Sequence, residues 1–172
     1  MDGAREVRLG SGDTVRIRPI RDSDAHELQR AFALMSEKSQ YTRFLTGTPR
    51  LTDSQAAYFT SIDHVDHEAY VAHSPDDATY IIGVARFIRC PSAPGDAELA
   101  ITVADSWHGR GLATALLQVL TERAVEVGVT RFRAEMMADN EAVLRLLRNA
   151  GMTDETVTGE LASGSIELDR TG

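Results

Sequence analysis

The segment from Trp107 to Ala113, Trp-His-Gly-Arg-Gly-Leu-Ala, combines residue types that can bind an anion. Gly109 and Gly111 stand one residue apart, and glycine lets the backbone approach a ligand and adopt conformations closed to other residues. A helical apolar repeat follows at once, so the first amides of that helix lack internal partners and carry a partial positive charge. A strand, a glycine turn and a helix N-terminus in this order suit a pyrophosphate.

Other interpretations of this turn remain open on local chemistry alone. The two glycines could simply make a tight turn. The dinucleotide-binding fingerprint needs a third glycine where Thr114 stands, and the P-loop needs a Lys-Ser or Lys-Thr that is missing. His108 could contact a phosphate or cap the helix region, and Arg110 could add a charged contact. On local chemistry alone, an anion site and a plain tight turn therefore both stay open.

A second group of polar residues, Asp63, His64, Asp66 and His67, could suggest metal ligands. The group precedes a predicted strand and lacks the cysteines and spacing of a zinc site. A solvated turn is the favoured interpretation, and we predict no metal. Cys90 is the only cysteine, so an internal disulfide is impossible.

The elements that position these residues follow from apolar periodicity. Capping boxes predict helix starts at Asp24 with Glu27 and at Thr52 with Gln55. Asn140 is a predicted helix N-cap. The remaining predicted elements are strands at 14–19, 69–72, 80–88, 98–103 and 131–136, a loop at 91–95, helices ending at Gly128 and Gly151, and a tail hairpin around Ser163 and Gly164.

Length and composition bound the function. The chain has 172 residues, which fits a flexible N-terminus at 1–13 and a single domain at 14–172. A net charge of −8 disfavours nucleic-acid binding, which needs a basic face. The chain has no signal-like start and no apolar stretch of about 20 residues, so we predict a cytoplasmic protein without membrane contact.

The stretch from Glu98 to Met152 resembles the core of the GNAT N-acetyltransferase superfamily. That family ends a strand in Val and continues with (Gln or Arg)-Gly-x-Gly-x-(Gly or Ala) at the start of a helix. Here Val103, Gly109, Arg110, Gly111, Leu112 and Ala113 match at the family's spacing, and His108 stands where Gln or Arg is expected. Asn140 to Met152 resembles the second signature, an Asn that opens a helix ending in Gly-Phe.

Three further stretches resemble the catalytic domain of bacterial Pat-type protein lysine acetyltransferases. They are Ser36–Phe44, Leu51–Asp53 and Asp66–Ala69. Together the similarity covers most of residues 14–152.

The resemblance implies the fold and the cosubstrate site. The fold is a mixed α/β (α+β) GNAT acyl-CoA N-acyltransferase fold, with a mostly antiparallel sheet splayed between its fourth and fifth strands and flanked by helices. The cosubstrate is acetyl-CoA, whose pantetheine arm would run beside the fourth strand like an extra strand. The implied cofactor-binding residues are Ile101, Thr102, Val103, His108, Gly109, Arg110, Gly111, Leu112, Ala113, Thr114 and Asn140.

The resemblance also implies a catalytic base. An amine must lose a proton to attack a thioester, because lysine titrates near ~10.4 in water. Glu98 matches the position of the glutamate in the Pat-like group and shares a predicted strand face with Thr102. A backbone N–H near Ile101 or Val103 would stabilise the oxyanion. Leu147 stands where many family members have a tyrosine that protonates the leaving thiolate.

The sequence thus predicts an acyltransferase that acetylates a primary amine, with a protein lysine as the favoured acceptor. The alternatives are a small-molecule amine acetyltransferase and a non-catalytic acyl-CoA sensor, the latter motivated by Leu147. We expect a monomer or a homodimer.

Overall fold

The computed structural model describes residues 3–35 and 50–169, which form one eight-stranded sheet flanked by four α-helices. The strands are β1 (Arg5–Arg8), β2 (Thr14–Pro19), β3 (His67–His73), β4 (Ile81–Cys90), β5 (Ala93–Val103), β6 (Arg131–Met137), β7 (Thr153–Thr158) and β8 (Leu161–Glu167). The helices are α1 (Ala25–Ala33), α2 (Asp53–Thr60), α3 (Leu112–Glu126) and α4 (Glu141–Asn149), with 3₁₀ turns at Asp22–Asp24 and Asp105–Trp107.

The strand order is β1-β2-β3-β4-β5-β6-β8-β7, and β5–β6 is the one parallel pair in the described sheet. Helix α3 makes the crossover between these two strands, because parallel neighbours need a long connection. Their register covers only Asp96–Leu99 against Arg131–Ala134, and the strands separate beyond it. The predicted mixed fold is confirmed, and the strands predicted as fourth and fifth are β5 and β6.

The predicted flexible N-terminus is wrong where the structure describes it. Arg5–Arg8 forms β1, which pairs antiparallel with β2. Leu9 is buried and joins the main core, and Val7 packs against that core. This short strand has one apolar residue, Val7, among charged ones, so it leaves little periodic signal in the sequence.

Two apolar cores lie on opposite faces of the sheet. Helix α3 covers one face with a stripe that includes Leu112, Leu116 and Leu120, each at most 1% exposed. Helices α1 and α2 cover the other face, where Leu28 and Phe32 pack with Val71 of β3. The predicted α3 stripe is thus confirmed, and α3 is fixed against the strands that lead into the glycine turn.

One predicted capping box is confirmed and the other is wrong. Thr52 accepts the amide of Gln55, and the Gln55 side chain accepts the amide of Thr52. At α1, the Asp24 carboxylate instead binds the Arg18 guanidinium at 2.8 Å and the Arg21 amide at 2.8 Å. Glu27 therefore has no reciprocal cap to complete.

The tail hairpin and the loop at 91–95 differ from their predicted bounds. The tail does form a hairpin, but β7 ends at Thr158 and β8 begins at Leu161, so the predicted turn residues Ser163 and Gly164 lie inside a strand. The predicted loop at 91–95 is shorter, because β5 already begins at Ala93. The Pat-like stretch at Ser36–Phe44 lies outside the described residues.

Candidate functional site

A cleft of about 900 Å³ opens where β5 and β6 separate, and α3 and α4 form its other walls. It brings together both sequence signatures, which lie on different elements. The predicted residues that line it are Ile101, Thr102, Val103, His108, Gly109, Gly111, Leu112, Ala113, Thr114 and Asn140. Sequence reasoning did not single out other lining residues, among them Trp107, Glu135, Asp139, Glu141 and Arg145.

The glycine turn presents a run of unpaired amides to this cleft. Gly109 and Gly111 have φ of 73° and 89°, in the left-handed region that favours glycine. Gly111 is the N-cap of α3, so the amides of the first helical turn have no partner inside the helix. Among residues 3–35 and 50–169, no acceptor takes a hydrogen bond from the backbone N–H groups of residues 109–114. This arrangement of donors can bind a phosphate group.

His108 ties the turn to the end of β5. Its Nε2 lies 2.8 Å from the Val103 carbonyl oxygen. A carbonyl can only accept, so Nε2 carries the proton. The Asp105 carboxylate lies 3.9 Å from the same nitrogen. His108 therefore lines the cleft while its ring anchors the loop.

The Arg110 side chain does not line the described cleft. Its guanidinium lies 4.6 Å from the Trp107 ring centroid and 3.5 Å from an Asp13 carboxylate oxygen. The predicted contact of Arg110 with a ligand stays a prediction, and its side chain is engaged by Trp107 and Asp13.

The second signature forms the wall opposite the turn. The predicted N-cap is confirmed, since Asn140 Oδ1 accepts the Val143 amide at 3.3 Å. Gly151 follows α4 with φ of 93°. Leu147 is 2% exposed and lines the cleft. Its hydrocarbon side chain can shape this wall, but it cannot donate a proton.

Glu98 lies beside the cleft, on the exposed side of β5. Its strand neighbours Ala97 and Leu99 are buried in the core under α3, so Glu98 projects from the other face. Arg133 of β6 is its register partner, and the Arg133 guanidinium pairs with Asp96. Glu98 is not among the residues that line the cleft. It stands one residue before the strands part.

Glu135 is a second carboxylate near this point. It lies on β6 two residues after Arg133, is exposed and lines the cleft. Two-residue periodicity puts it on the same face of β6 as Arg133. Two glutamates on neighbouring strands therefore lie near the gap between β5 and β6, Glu135 in the cleft and Glu98 beside it, and the sequence indicated only Glu98.

The Thr102 hydroxyl lies on the part of β5 that no longer pairs with β6. Its oxygen is buried and has no hydrogen-bond partner among the residues that the structure describes. A buried polar atom without a partner costs stability. A ligand in the cleft could supply that partner.

The polar group at Asp63 closes a turn. The Asp63 carboxylate accepts the amides of Val65, Asp66 and His67, each at 2.9 Å. These bonds, with the His67 amide first, lower the pKa of Asp63. His64 Nδ1 lies 2.8 Å from the buried Glu68 carboxylate, which Arg123 also contacts. No cluster of three or more His, Cys, Asp or Glu residues in the described ranges is placed to hold a metal ion.

No helix within residues 3–35 and 50–169 is both long and apolar enough to cross a bilayer.

Comparisons with known proteins agree with this geometry. The acetyltransferase (GNAT) domain family matches residues 14–153. The chain is similar to acetyltransferase Pat of Mycolicibacterium smegmatis, with 29% identity over 145 residues, 84% of this chain and 43% of that protein. It thus spans less than half the length of that relative.

Solved structures show the same likeness. The GNAT domain of S. lividans PAT has 30% identity and a TM-score of 0.88, and the match covers 96% of this chain and 97% of that one. A putative acetyltransferase of Salmonella typhimurium, yncA, was solved with its cofactor acetyl-CoA. It has 18% identity and a TM-score of 0.72, with 92% of this chain and 96% of that chain covered, and so shares the fold.

Proposed function

The chain belongs to the GNAT acetyltransferase family, and from that premise we propose that it transfers the acetyl group of acetyl-CoA to a primary amine, with a protein lysine as the favoured acceptor. The observation that carries the proposal is the continuity of the glycine turn with the gap between β5 and β6. An anion site at one end and an open strand edge at the other match a ligand with a pyrophosphate and an amide-rich arm.

The pyrophosphate would be held by the amides of residues 109–114. These donors converge at the N-terminus of α3, where the helix dipole also favours a negative charge. Arg145 is the one arginine among the described residues that line the cleft. Its charge would attract the phosphates of the nucleotide end.

The pantetheine arm would extend along the open edge of β5. From Ala100 to Val103 the strand has no partner on the β6 side, so its main chain on that side can bind the amides of the arm. Asn140 and Val143 would contact the arm from the opposite wall. The thioester would then lie near Leu99 and Ala134, where the strands meet.

The chemistry needs a base, and we assign that role to Glu98. The amine nitrogen forms a bond with the thioester carbonyl carbon and loses a proton to the Glu98 carboxylate, directly or through a water. A backbone N–H near Ile101 or Val103 would stabilise the oxyanion. The carbon–sulfur bond then breaks, and CoA leaves as the thiolate or takes a proton from water, because Leu147 offers none.

The acceptor assignment is supported by the relatives named Pat. A second version of the proposal has a small amine as the acceptor in the same site. A sensor that binds acyl-CoA without turnover is the third, and it is favoured by the buried Leu147 in place of a tyrosine. Cytoplasmic location, a single domain and a monomeric or homodimeric state remain predictions.

The test combines binding and turnover. The purified chain is incubated with acetyl-CoA labelled in the acetyl group and with either a protein extract or a set of small amines. Acetylated lysines found by mass spectrometry support the first version, and an acetylated small amine alone supports the second. Saturable binding without transfer to any amine supports the sensor. Absence of binding to acetyl-CoA would overturn all three.

A further inference from the structure

The hairpin between β1 and β2 contacts the glycine turn from a distant part of the sequence. The Ser11 amide donates to the Arg110 carbonyl oxygen at 3.3 Å. The Asp13 carboxylate lies 3.5 Å from the Arg110 guanidinium. A methyl group added at Gly111 would lie 3.2 Å from the Gly10 nitrogen, so the two backbones are in close contact. The turn is thus contacted by two successive residues of the hairpin, Gly10 and Ser11, and by Asp13.

The hairpin is itself well fixed. Leu9 is 5% exposed and belongs to the main core. Its amide donates to the Asp13 carbonyl at 2.8 Å, and the Gly12 amide donates to the Leu9 carbonyl at 2.9 Å. The Ser11 hydroxyl donates to the Asp13 carboxylate at 2.6 Å. The Ser11 hydroxyl therefore orients the Asp13 carboxylate that contacts Arg110.

The Arg110 side chain lies between Asp13 of the hairpin and Trp107, which precedes the glycine turn. Its guanidinium stacks over Trp107, which is 9% exposed and anchored in the core. A cation over an indole ring is attracted by the π system. The guanidinium thus has partners on two sides and is directed away from the described cleft.

We propose that Asp13 and Arg110 are positioning residues that hold the glycine turn in the conformation that binds pyrophosphate. The inference rests on the proposed function, since it assumes that the ligand is acetyl-CoA. Binding costs less when the groups that meet the ligand are already ordered. By this account, the Arg110 side chain acts through the turn and makes no contact with phosphate.

The two possible roles of Arg110 make opposite predictions for Asp13→Ala. If Arg110 positions the turn, loss of Asp13 loosens the turn and weakens binding. If Arg110 binds phosphate, loss of Asp13 frees its charge and tightens binding. The variant therefore separates the two roles by the sign of the change.

The experiment measures the dissociation constant of acetyl-CoA by titration calorimetry, for the wild type and for Asp13→Ala. We expect about fivefold weaker binding, the equivalent of one partly exposed ion pair. S-acetylpantetheine, which lacks the pyrophosphate, should bind both proteins equally. A general loss of folding would weaken both ligands. Trp107 is the only tryptophan, so its emission reports the turn directly, and we expect it to change in the variant.

The control is Glu122→Gln. Glu122 pairs with Arg5 and so links the same hairpin to α3, but away from the glycine turn. The Glu122→Gln variant should leave the dissociation constants of acetyl-CoA and S-acetylpantetheine unchanged. Arg110→Ala should weaken acetyl-CoA binding as Asp13→Ala does, and the double variant should be no weaker than either single one.

Tighter or unchanged acetyl-CoA binding in Asp13→Ala would overturn the inference and leave the proposed function intact. An equal loss of S-acetylpantetheine binding would overturn it as well. If the wild type bound neither ligand, the proposed function would fail. In that case, an unchanged Trp107 emission in Asp13→Ala would by itself reject the positioning role of Asp13 and Arg110.

Discussion

Leu99 and Ala134 form the last register pair between the parallel strands β5 and β6. Beyond them β5 continues to Val103 and β6 to Met137, yet the two strands no longer pair. Both residues line the cleft that opens there. The pairing of β5 with β6 therefore ends where the cleft begins, and the proposed thioester position lies at this point.

Replacement of Glu98 by Gln tests the base. The amide cannot accept the proton of the amine, so we expect turnover to fall by about 10²- to 10⁴-fold. Acetyl-CoA binding should persist, because Glu98 does not line the cleft. The measurement is steady-state turnover with the acceptor found by mass spectrometry, together with calorimetric binding.

Glu135→Gln is the matched comparison for Glu98→Gln. Both residues are exposed glutamates on neighbouring strands near the gap. We expect Glu135→Gln to retain most of the turnover. A full loss in that variant together with an active Glu98→Gln would move the base from β5 to β6.

Gly111→Ala tests the backbone of the turn. The left-handed φ of Gly111 disfavours a side chain by roughly 1–2 kcal/mol, and a methyl group would also press on Gly10. We expect acetyl-CoA affinity to fall by about tenfold or more, since the turn must shift and each 1.4 kcal/mol is a factor of ten. Calorimetry measures the affinity, and thermal unfolding measures the stability.

Gly151→Ala is its control. Gly151 also has a positive φ, but a methyl group there meets open space and the residue does not line the cleft. It should lower the melting temperature and leave the affinity unchanged. Equal losses of affinity in both variants would show that the turn has no special role.

Arg145→Gln tests the charge in the cleft. Arg145 lines the cleft, whereas Arg148, one helical turn away, is engaged by Glu155 at 2.6 and 2.8 Å. We expect Arg145→Gln to weaken acetyl-CoA binding by about threefold to fivefold at low salt and less at high salt. Arg148→Gln should leave binding unchanged. If Arg148→Gln weakened binding more than Arg145→Gln, or if the loss in Arg145→Gln grew with salt, the placement of the nucleotide end near Arg145 would be contradicted.

His73 predicts how stability depends on pH. Burial lowers its pKa below 6.5, and the nearby Arg18 guanidinium lowers it further. Neutral His73 can accept from Arg18 at 3.3 Å, and a protonated ring cannot. The unfolded chain binds the proton more readily than the folded one. The contribution of neutral His73 to the free energy of unfolding should therefore be fully present above pH 6.5 and decrease as pH falls below it.

The check is urea unfolding at several pH values between 5 and 8 for the wild type and for His73→Gln. The variant should show a smaller decrease in stability below pH 6.5. An identical decrease in both proteins would contradict the assignment.

The Asp24 carboxyl titrates in a lower pH range than His73. Burial alone would raise its pKa, but the Arg18 side chain and the Arg21 amide bring it below the usual value.

Local backbone chemistry explains what the sequence could predict. Gly109, Gly111 and Gly151 occupy positions that need a positive φ, and Asn140 and Thr52 cap helices through neighbours three residues away. Such features depend on residues close in the chain. The glycine turn and the helix caps could therefore be predicted from the residues, whereas the splayed sheet was implied by the family resemblance.

The failures depend on side-chain and packing contacts that local sequence patterns do not encode. Arg110 is directed by Asp13, which lies 97 residues earlier, and the carboxylate of Asp24 is taken by Arg18. Gly164 resembles a turn residue, but it lies in β8, where a methyl group would come within 2.7 Å of the Met152 side chain. No periodicity in the sequence reports these contacts.

The most direct test of the central claim is an amide NMR titration of ¹⁵N-labelled protein with acetyl-CoA. We predict that the largest shifts occur at the amides of residues 109–114 and along Ala100–Val103, on the two sides of the same cleft. Saturation with acetyl-CoA that leaves the amides of 109–114 unmoved, or that moves a different surface, would contradict the account.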